Sequence, residues 1–143
     1  MWIKLLVLWT NVLFMPAKQG ELVLYIQNIE NAQGTLYVAV YNESNFLQEG
    51  KGLITTKFKV EKSDNQQVEI PNLPFGTYAI AIYHDVNNNG KLDKNALGIP
   101  AEPYAFSNNP KVKWRSPTFD ETQIELNAPQ KSLEVELKRW RKH

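Results

Sequence analysis

Alternation of apolar and polar side chains is the strongest pattern in this chain, and it begins after residue 20. In its clearest segments, such as 132–138, Leu or Val occupies every second position and charged residues lie between. A period of two is typical of strands with one buried face. The pattern predicts about seven strands, over residues 22–29, 35–41, 53–60, 67–70, 77–84, 123–126 and 132–138.

These strands favour an all-β fold, an antiparallel β-sandwich of immunoglobulin-like type. The turn at residues 31–34 predicts a hairpin between 22–29 and 35–41. In the segment 77–84, Tyr78 and the isoleucines share one face, while Ala79 and Ala81 lie on the other. Such small side chains would let a facing sheet approach closely.

The N-terminus has a different pattern. Lys4 precedes a nearly apolar run over residues 5–15, which ends at Pro16 and Ala17. The run is shorter than the roughly 20 residues of a membrane span. This layout predicts a secretory signal peptide over residues 1–20, whereas the alternative is a buried strand or an uncleaved anchor. Cleavage between residues 17 and 20 would export the protein to the periplasm or the exterior, with no stable membrane insertion afterwards.

Composition narrows the class of protein. A chain of 143 residues with 43% hydrophobic residues is sufficient for one domain with a core. We assign that domain to residues 21–138, and residues 139–143 form a basic tail. The net charge of +1 lacks the basic excess of nucleic-acid-binding proteins. The chain has no cysteine, which excludes disulfides, thiolate nucleophiles and Cys-ligated zinc.

Residues 85–117 form a long segment rich in Asn, Gly and Pro, which we expect to be one ordered loop. It starts with a pattern similar to the first part of a calcium-binding EF-hand loop. Glycine stands at position 6, which is Gly90, and position 7, Lys91, would give its backbone carbonyl. Side-chain oxygens stand at positions 1, 3, 5 and 9, which are Asp85, Asn87, Asn89 and Asp93.

The pattern departs from the full calcium motif at position 12, where Ala96 replaces the bidentate Glu. Glu102 is a candidate for the missing carboxylate. Two of the four side-chain ligands are neutral Asn, so the affinity for calcium would be weak. The alternative is a turn closed by its own side-chain-to-backbone hydrogen bonds, with no ion.

Two further groups are candidates for chemistry. His84 would be the base of an envelope-directed hydrolase if it opened into a cleft beside a carboxylate such as Asp85 or Glu102; otherwise it packs or caps a strand end. The segment 98–109 is a candidate contact surface for a ligand, through Glu102, Tyr104, Phe106 and Asn108. Exposed, the aromatic residues in and after the loop would form a platform; buried, they would cover the core, which we expect of Tyr104, Phe106, Trp114 and Phe119.

The block His84–Asp93, followed by residues 97–109, resembles the hallmark of a bacterial family called domain of unknown function 2141. Residues 34–40 and 73–83 are similar to it too, so the resemblance covers about residues 21–138. Members are typically short exported proteins without an established activity, which implies export and no catalytic residue. The turn Leu73-Pro-Phe-Gly-Thr-Tyr78 is also similar to that of transthyretin-like and carboxypeptidase-regulatory-like modules, which implies a sandwich fold.

Together these features predict a non-enzymatic binding or accessory module of the bacterial envelope, with calcium as its candidate cofactor. Its partner would be an envelope protein, a peptide or a glycan. Loops carried on a rigid sandwich are common recognition sites. The hydrolase that uses His84 is the alternative function.

Overall fold

The computed structural model describes residues 17–112 and 114–140. Most of the predicted signal peptide and residues 141–143 of the basic tail lie outside this part of the chain. The helices here are single turns, a 3₁₀ helix over Glu43–Asn45 and α1 over Phe119–Thr122. The strands are β1 (Gln19–Ile29), β2 (Thr35–Tyr41), β3 (Ile54–Lys59), β4 (Asp64–Pro74), β5 (Gly76–Asp85), β6 (Tyr104–Phe106), β7 (Ile124–Leu126) and β8 (Gln130–Glu136).

The strands form two sheets, which confirms an all-β sandwich. One sheet has the order β4-β1-β8, and the other has the order β3-β2-β5-β6, with β7 paired to the start of β5. The predicted alternation places the apolar side chains of both sheets in a shared core, where they are almost fully buried. That core includes Leu24 and Ile26 of β1, Val38 and Val40 of β2, and Ile80 of β5.

The predicted hairpin between the first two strands was wrong. β1 pairs with β4 on one side and with β8 on the other, whereas β2 pairs with β3 and β5. The turn between β1 and β2 therefore crosses from one sheet to the other. The β1–β8 pair is parallel, so the sandwich is antiparallel except at this pair. Both strands carry apolar inward faces, and the sequence pattern does not distinguish between these two topologies.

The division of β5 into two faces agrees with the prediction, but the expectation that the alanine face meets the other sheet was wrong. Ile80, Ile82 and His84 point into the core between the sheets, whereas Ala79, Ala81 and Tyr83 alternate with them on the outer face. The alanines therefore do not make room for the other sheet. They lie on the outer face of the five-stranded sheet, which points away from the other sheet.

The segment after β5 contains more structure than a single loop. Lys94 and Pro100 form an isolated bridge, and β6 joins the sheet antiparallel to β5. Thr118 caps α1, and its side chain and that of Glu121 each accept a backbone N–H of the other residue. None of the helices described in residues 17–112 and 114–140 has the length and apolar character of a membrane span.

Glycine is required in the β1–β2 turn, where the turn lies against the end of β5. Gly34 has φ +88°, and a Cβ there would lie 2.3 Å from the carbonyl oxygen of Asp85. The close approach fixes the β1–β2 turn against the end of β5, where the candidate site begins.

Candidate functional site

The loop 85–93 starts at the last residue of β5. The Asp85 side chain is buried, and its carboxylate accepts hydrogen bonds from the backbone N–H groups of Asn89 at 3.2 Å and Gly90 at 2.8 Å. Gly90 has φ +80°, which permits the sharp bend. The first candidate ligand is therefore already directed at the interior of its own loop.

The remaining candidate side chains converge on Asp93. The Nδ2 atom of Asn87 donates to Asp93 at 2.7 Å, and that of Asn89 donates to both carboxylate oxygens at 2.8 and 2.9 Å. These hydrogen bonds, with Asn89 the larger contributor, hold the pKa of Asp93 below its ordinary value. The loop thus gathers the ends of three of the four predicted side-chain ligands at one point.

The amide oxygens of the two asparagines have separate roles. Asn87 Oδ1 accepts from the backbone N–H of Asn89 at 3.2 Å, and Asn89 Oδ1 accepts from that of Lys91 at 3.1 Å. These are side-chain-to-backbone turns, the feature of the alternative interpretation of this loop. Both interpretations therefore use the same residues and differ in which atoms of the amides face Asp93.

Among the described residues, no group of three His, Asp or Glu side chains is placed to hold a metal ion. A calcium ion in the loop would depend on Asn87 and Asn89 for part of its ligand set. Rotation of an Asn amide group exchanges the positions of its oxygen and nitrogen atoms and leaves the shape of the side chain almost unchanged.

Glu102 holds the loop at both of its ends. It is 6% exposed, and its two oxygens accept the backbone N–H of Val86 at 3.0 Å and that of Asp93 at 3.2 Å. A buried carboxylate that accepts two backbone N–H groups compensates for much of its own desolvation. The residue proposed for the missing ligand position thus has a defined role as the clamp of the loop.

Tyr104 and Phe106 do not cover the core, and that expectation was wrong for both. Their strand β6 places only Ala105 in the core, and the two rings lie half-buried on the outer face, 6.0 Å apart and edge-to-face. Across the same face, Tyr83 is paired with Tyr104 on one side and with Tyr37 on the other.

The aromatic outer face adjoins the loop. Tyr37 and Tyr83 stack in parallel with ring centroids 4.8 Å apart. The Tyr37 hydroxyl lies 3.8 Å from where a side chain on Gly90 would begin. Burial, with the neighbouring charges of Tyr37, Asp85 and Glu102, raises the pKa of Tyr83 to about 12.

Asn108, the last predicted ligand-binding residue, is exposed and separate from this aromatic face. Its φ is +64°, and its amide donates to the carbonyl of Gln123 at 2.7 Å. Its neighbour Ser107, which the sequence reasoning missed, is buried and accepts from the backbone N–H of Ile80 at 2.9 Å. These polar groups anchor the end of β6 to the sheet.

His84 does not open into a cleft. Its ring is fully buried, and Nε2 lies 2.7 Å from the carbonyl oxygen of Gln33 in the β1–β2 turn. The carbonyl can only accept, so Nε2 is the donor in this hydrogen bond. Within the described residues, Nδ1 has no hydrogen-bond partner. The ring therefore packs in the core and caps a turn.

Two residues of the basic C-terminal tail contact the domain. Arg139 forms an ion pair with Glu30 at 2.7 Å and donates to the carbonyl of Ala101. Trp140 packs edge-to-face on Trp114 with ring centroids 5.8 Å apart, and Trp114 is 81% exposed rather than a cover of the core. Nothing in the periodicity of residues 139–143 indicated these contacts.

Comparison with known proteins supplies the family. A search of curated proteins and a search of solved structures gave no match. A family model matches residues 24–134, which covers β2 to β7, most of β1 and β8, the loop 85–93 and Glu102. The chain therefore belongs to the bacterial family described as "Uncharacterized protein conserved in bacteria (DUF2141)".

Proposed function

We propose that this protein is an exported, non-enzymatic binding or accessory module of the bacterial envelope, in which a calcium ion orders the loop 85–93. The observation that carries the proposal is the convergence of the Asn87 and Asn89 side chains on Asp93, within a loop that Asp85 closes. Two carboxylates and two amides form the hard-oxygen ligand set that calcium prefers.

The charge of the loop sets the expected strength of binding. Only Asp85 and Asp93 carry formal charge among the four candidate side-chain ligands within the loop. Calcium sites of exported modules bind with dissociation constants of about 10⁻⁴ to 10⁻³ M, because affinity decreases when a site has fewer charged ligands or is less rigid. Rotation of the Asn87 and Asn89 amides would turn their oxygens towards the ion. It would replace the N–H bonds to Asp93 and also the bonds that these oxygens accept from the backbone N–H groups of Asn89 and Lys91.

Glu102 connects the loop to the contact surface. Its carboxylate holds the Asp93 backbone, and Tyr104 of β6 follows two residues later. An ion that fixes the loop would therefore also fix the segment 98–109. A partner peptide, glycan or envelope protein would contact Tyr104 and Phe106, which lie half-buried on the outer face.

Export rests on the apolar N-terminal pattern, and the start of the sheet supports a cleavage position. The carbonyl of Lys18 accepts the backbone N–H of Phe75 at 2.9 Å, and Gln19 already pairs in β1. Cleavage after Ala17 would retain these contacts, whereas cleavage after Gly20 would remove them. Mass spectrometry of the exported protein should find Lys18 at its N-terminus.

The buried position of His84 supports a binding role over the hydrolase. The hydrolase hypothesis needs the ring in an open cleft with a carboxylate in hydrogen-bond reach. Instead, Nε2 is committed to the Gln33 carbonyl and the side chain is 0% exposed. A group buried in this way does not reach a substrate.

Thermal melting of the exported protein in excess calcium and in chelator tests the ion site. At calcium about tenfold above the dissociation constant, the native state gains about 1.4 kcal/mol. For a domain of this size that corresponds to a rise of roughly 4 °C in the melting temperature. Asp93→Asn should abolish the rise, and Asp120→Asn, on the exposed helix α1, should keep it. No shift at about 10 mM calcium would contradict the ion site and leave a closed Asn-Gly turn.

A further inference from the structure

A cavity of about 550 Å³ lies where the end of β1 approaches β6 and the residues after β8. Its size falls in the range of small-molecule sites, about 300 to 1,000 Å³. We name it the tryptophan cavity, and the residues that matter to the argument are Asn28, Glu30, Asp64, Tyr104, Trp114 and Trp140. It shares Tyr104 with the aromatic outer face, so the two surfaces are continuous.

Two tryptophan rings form one side of this cavity. Trp114 and Trp140 meet at an interplanar angle of 74°, which makes a corner of two apolar surfaces. Trp114 is 81% exposed, although a Trp side chain carries one of the largest apolar surfaces in proteins. Large exposed aromatics beside a concave surface are typical of a ligand site.

Polar groups with free hydrogen-bonding capacity line another side. Asn28 and Asp64 both have positive φ, +62° and +79°, at a bulge where β1 and β4 begin to separate. The Asn28 amide makes one long bond of 3.5 Å, to the carbonyl of Leu137. The Asp64 carboxylate accepts one long bond of 3.3 Å, from Asn65. Strained positions of this kind concentrate at functional sites.

The charges of the cavity balance. Glu30 is paired with Arg139 at 2.7 Å, and Asp64 faces a lining that also contains Lys138. Two acids and two bases give no excess of either sign, so the cavity offers no attraction to a strongly charged ligand. A purely apolar ligand would exclude water from Asn28 and Asp64 without giving them new hydrogen-bond partners, which is unfavourable for both groups.

We propose that the tryptophan cavity binds a neutral carbohydrate, with a sugar ring against Trp114 and Trp140 and its hydroxyls bonded to Asn28 and Asp64. A sugar ring has apolar C–H faces and a rim of hydroxyls that both donate and accept, which matches this combination of surfaces. The inference rests on the proposed binding role and names its ligand class.

The chain contains a built-in probe for this site. Its four tryptophans are Trp2 and Trp9, which lie in the predicted signal peptide, and Trp114 and Trp140, which both line the cavity. Tryptophan fluorescence of the exported protein should therefore report on the cavity alone. We suggest titration with three neutral oligosaccharides, which are maltohexaose, cellohexaose and triacetylchitotriose, in calcium and in chelator.

A saturable change in fluorescence with at least one sugar is the expected result. Trp114→Phe should weaken the binding at least about tenfold, which corresponds to 1.4 kcal/mol. Asp64→Ala, which keeps both tryptophans, should weaken it similarly in the fluorescence titration. Tyr25→Ala is the matched control, because Tyr25 is 42% exposed on β1 outside the cavity. Unchanged melting temperatures of the variants would separate lost binding from lost folding.

Two results would overturn the inference. One is the absence of a saturable change with all three sugars up to about 20 mM, a concentration at which even a Kd of about 1 mM, or −4.1 kcal/mol, would be detected. The other is binding that Trp114→Phe and Asp64→Ala leave intact. Sugar binding without a calcium-dependent rise in the melting temperature would support the sugar site in the tryptophan cavity and reject the ion site. A calcium-dependent rise in the melting temperature without sugar binding would support the ion site and reject the sugar site.

Discussion

The loop 85–93 and the tryptophan cavity both contain carboxylate and amide side chains, but these side chains differ in how many hydrogen bonds they make. In the loop, Asp85, Asp93 and Glu102 accept several hydrogen bonds each, from backbone N–H groups or from Asn amides. In the cavity, Asn28 and Asp64 make single long bonds, and Trp114 is 81% exposed.

This difference in hydrogen bonding distinguishes side chains that stabilise the fold from side chains that are available to a ligand. A side chain that satisfies buried backbone groups contributes to the free energy of folding, and its removal leaves those groups without partners. A side chain that is exposed and has few partners contributes little to folding and is available to a ligand. Substitutions in the loop should therefore change stability, and substitutions in the cavity should change binding alone.

Glu102→Ala should have the largest effect on stability. The change removes the acceptor for the N–H groups of Val86 and Asp93, and two unsatisfied groups at about 1–3 kcal/mol each give a loss of about 3 kcal/mol. Urea unfolding measures it, through the midpoint at constant m-value. Glu102→Gln keeps one acceptor oxygen and should lose about half as much.

Glu125→Ala is the control for that comparison, because Glu125 is exposed on β7. It should stay within about 0.5 kcal/mol of the parent protein. A loss below about 1 kcal/mol in Glu102→Ala would mean that water satisfies both N–H groups, and the contrast between the two regions would then be weaker than the contacts imply.

The sequence predicted the strands better than their partners. Alternation identified β2 and β8, and in β8 it also identified the inward face, because burial on one face imposes a period of two. It could not assign β1 and β2 to different sheets, since the crossing depends on long-range packing. The three-residue strand β6 was missed because it is too short to show a period.

In the candidate site, too, the sequence indicated the local motifs but not the long-range contacts. The oxygen spacing from Asp85 to Asp93 located the loop, and the Thr118-x-x-Glu121 capping signature contained the signal for α1 that the prediction overlooked. The clamp by Glu102 and the pairing of Trp114 with Trp140 join residues far apart in the chain. Such contacts follow from the fold and have no local signature.

The alkaline limit of stability should depend on Tyr83, beside the loop. Its pKa of about 12 lies above the ordinary value of 10.0, so the native state keeps the proton that the unfolded chain releases. Its stabilising contribution is complete below pH 10 and is lost progressively as pH rises to about 12. Denaturant unfolding across this pH range should show a smaller decrease in the free energy of unfolding for Tyr83→Phe than for the parent protein.

The other tyrosines with raised pKa, which are Tyr41, Tyr78 and Tyr104, should supply the rest of the alkaline drop. Tyr25→Phe is the control, because Tyr25 is 42% exposed on the opposite sheet. An equal drop in Tyr83→Phe and in Tyr25→Phe would show that the stacked ring beside Asp85 is solvated in solution.

Trp114→Ala should have the smallest effect on stability and is the sharpest test of the contrast. Removal of a buried Trp costs about 3–5 kcal/mol, whereas a ring that is 81% exposed gives up little apolar contact. We expect a change within about 0.5 kcal/mol in urea unfolding, with the edge-to-face contact to Trp140 as its source. A loss above about 2 kcal/mol would mean that Trp114 is part of the fold in solution. The tryptophan cavity would then be a packing element rather than a binding site.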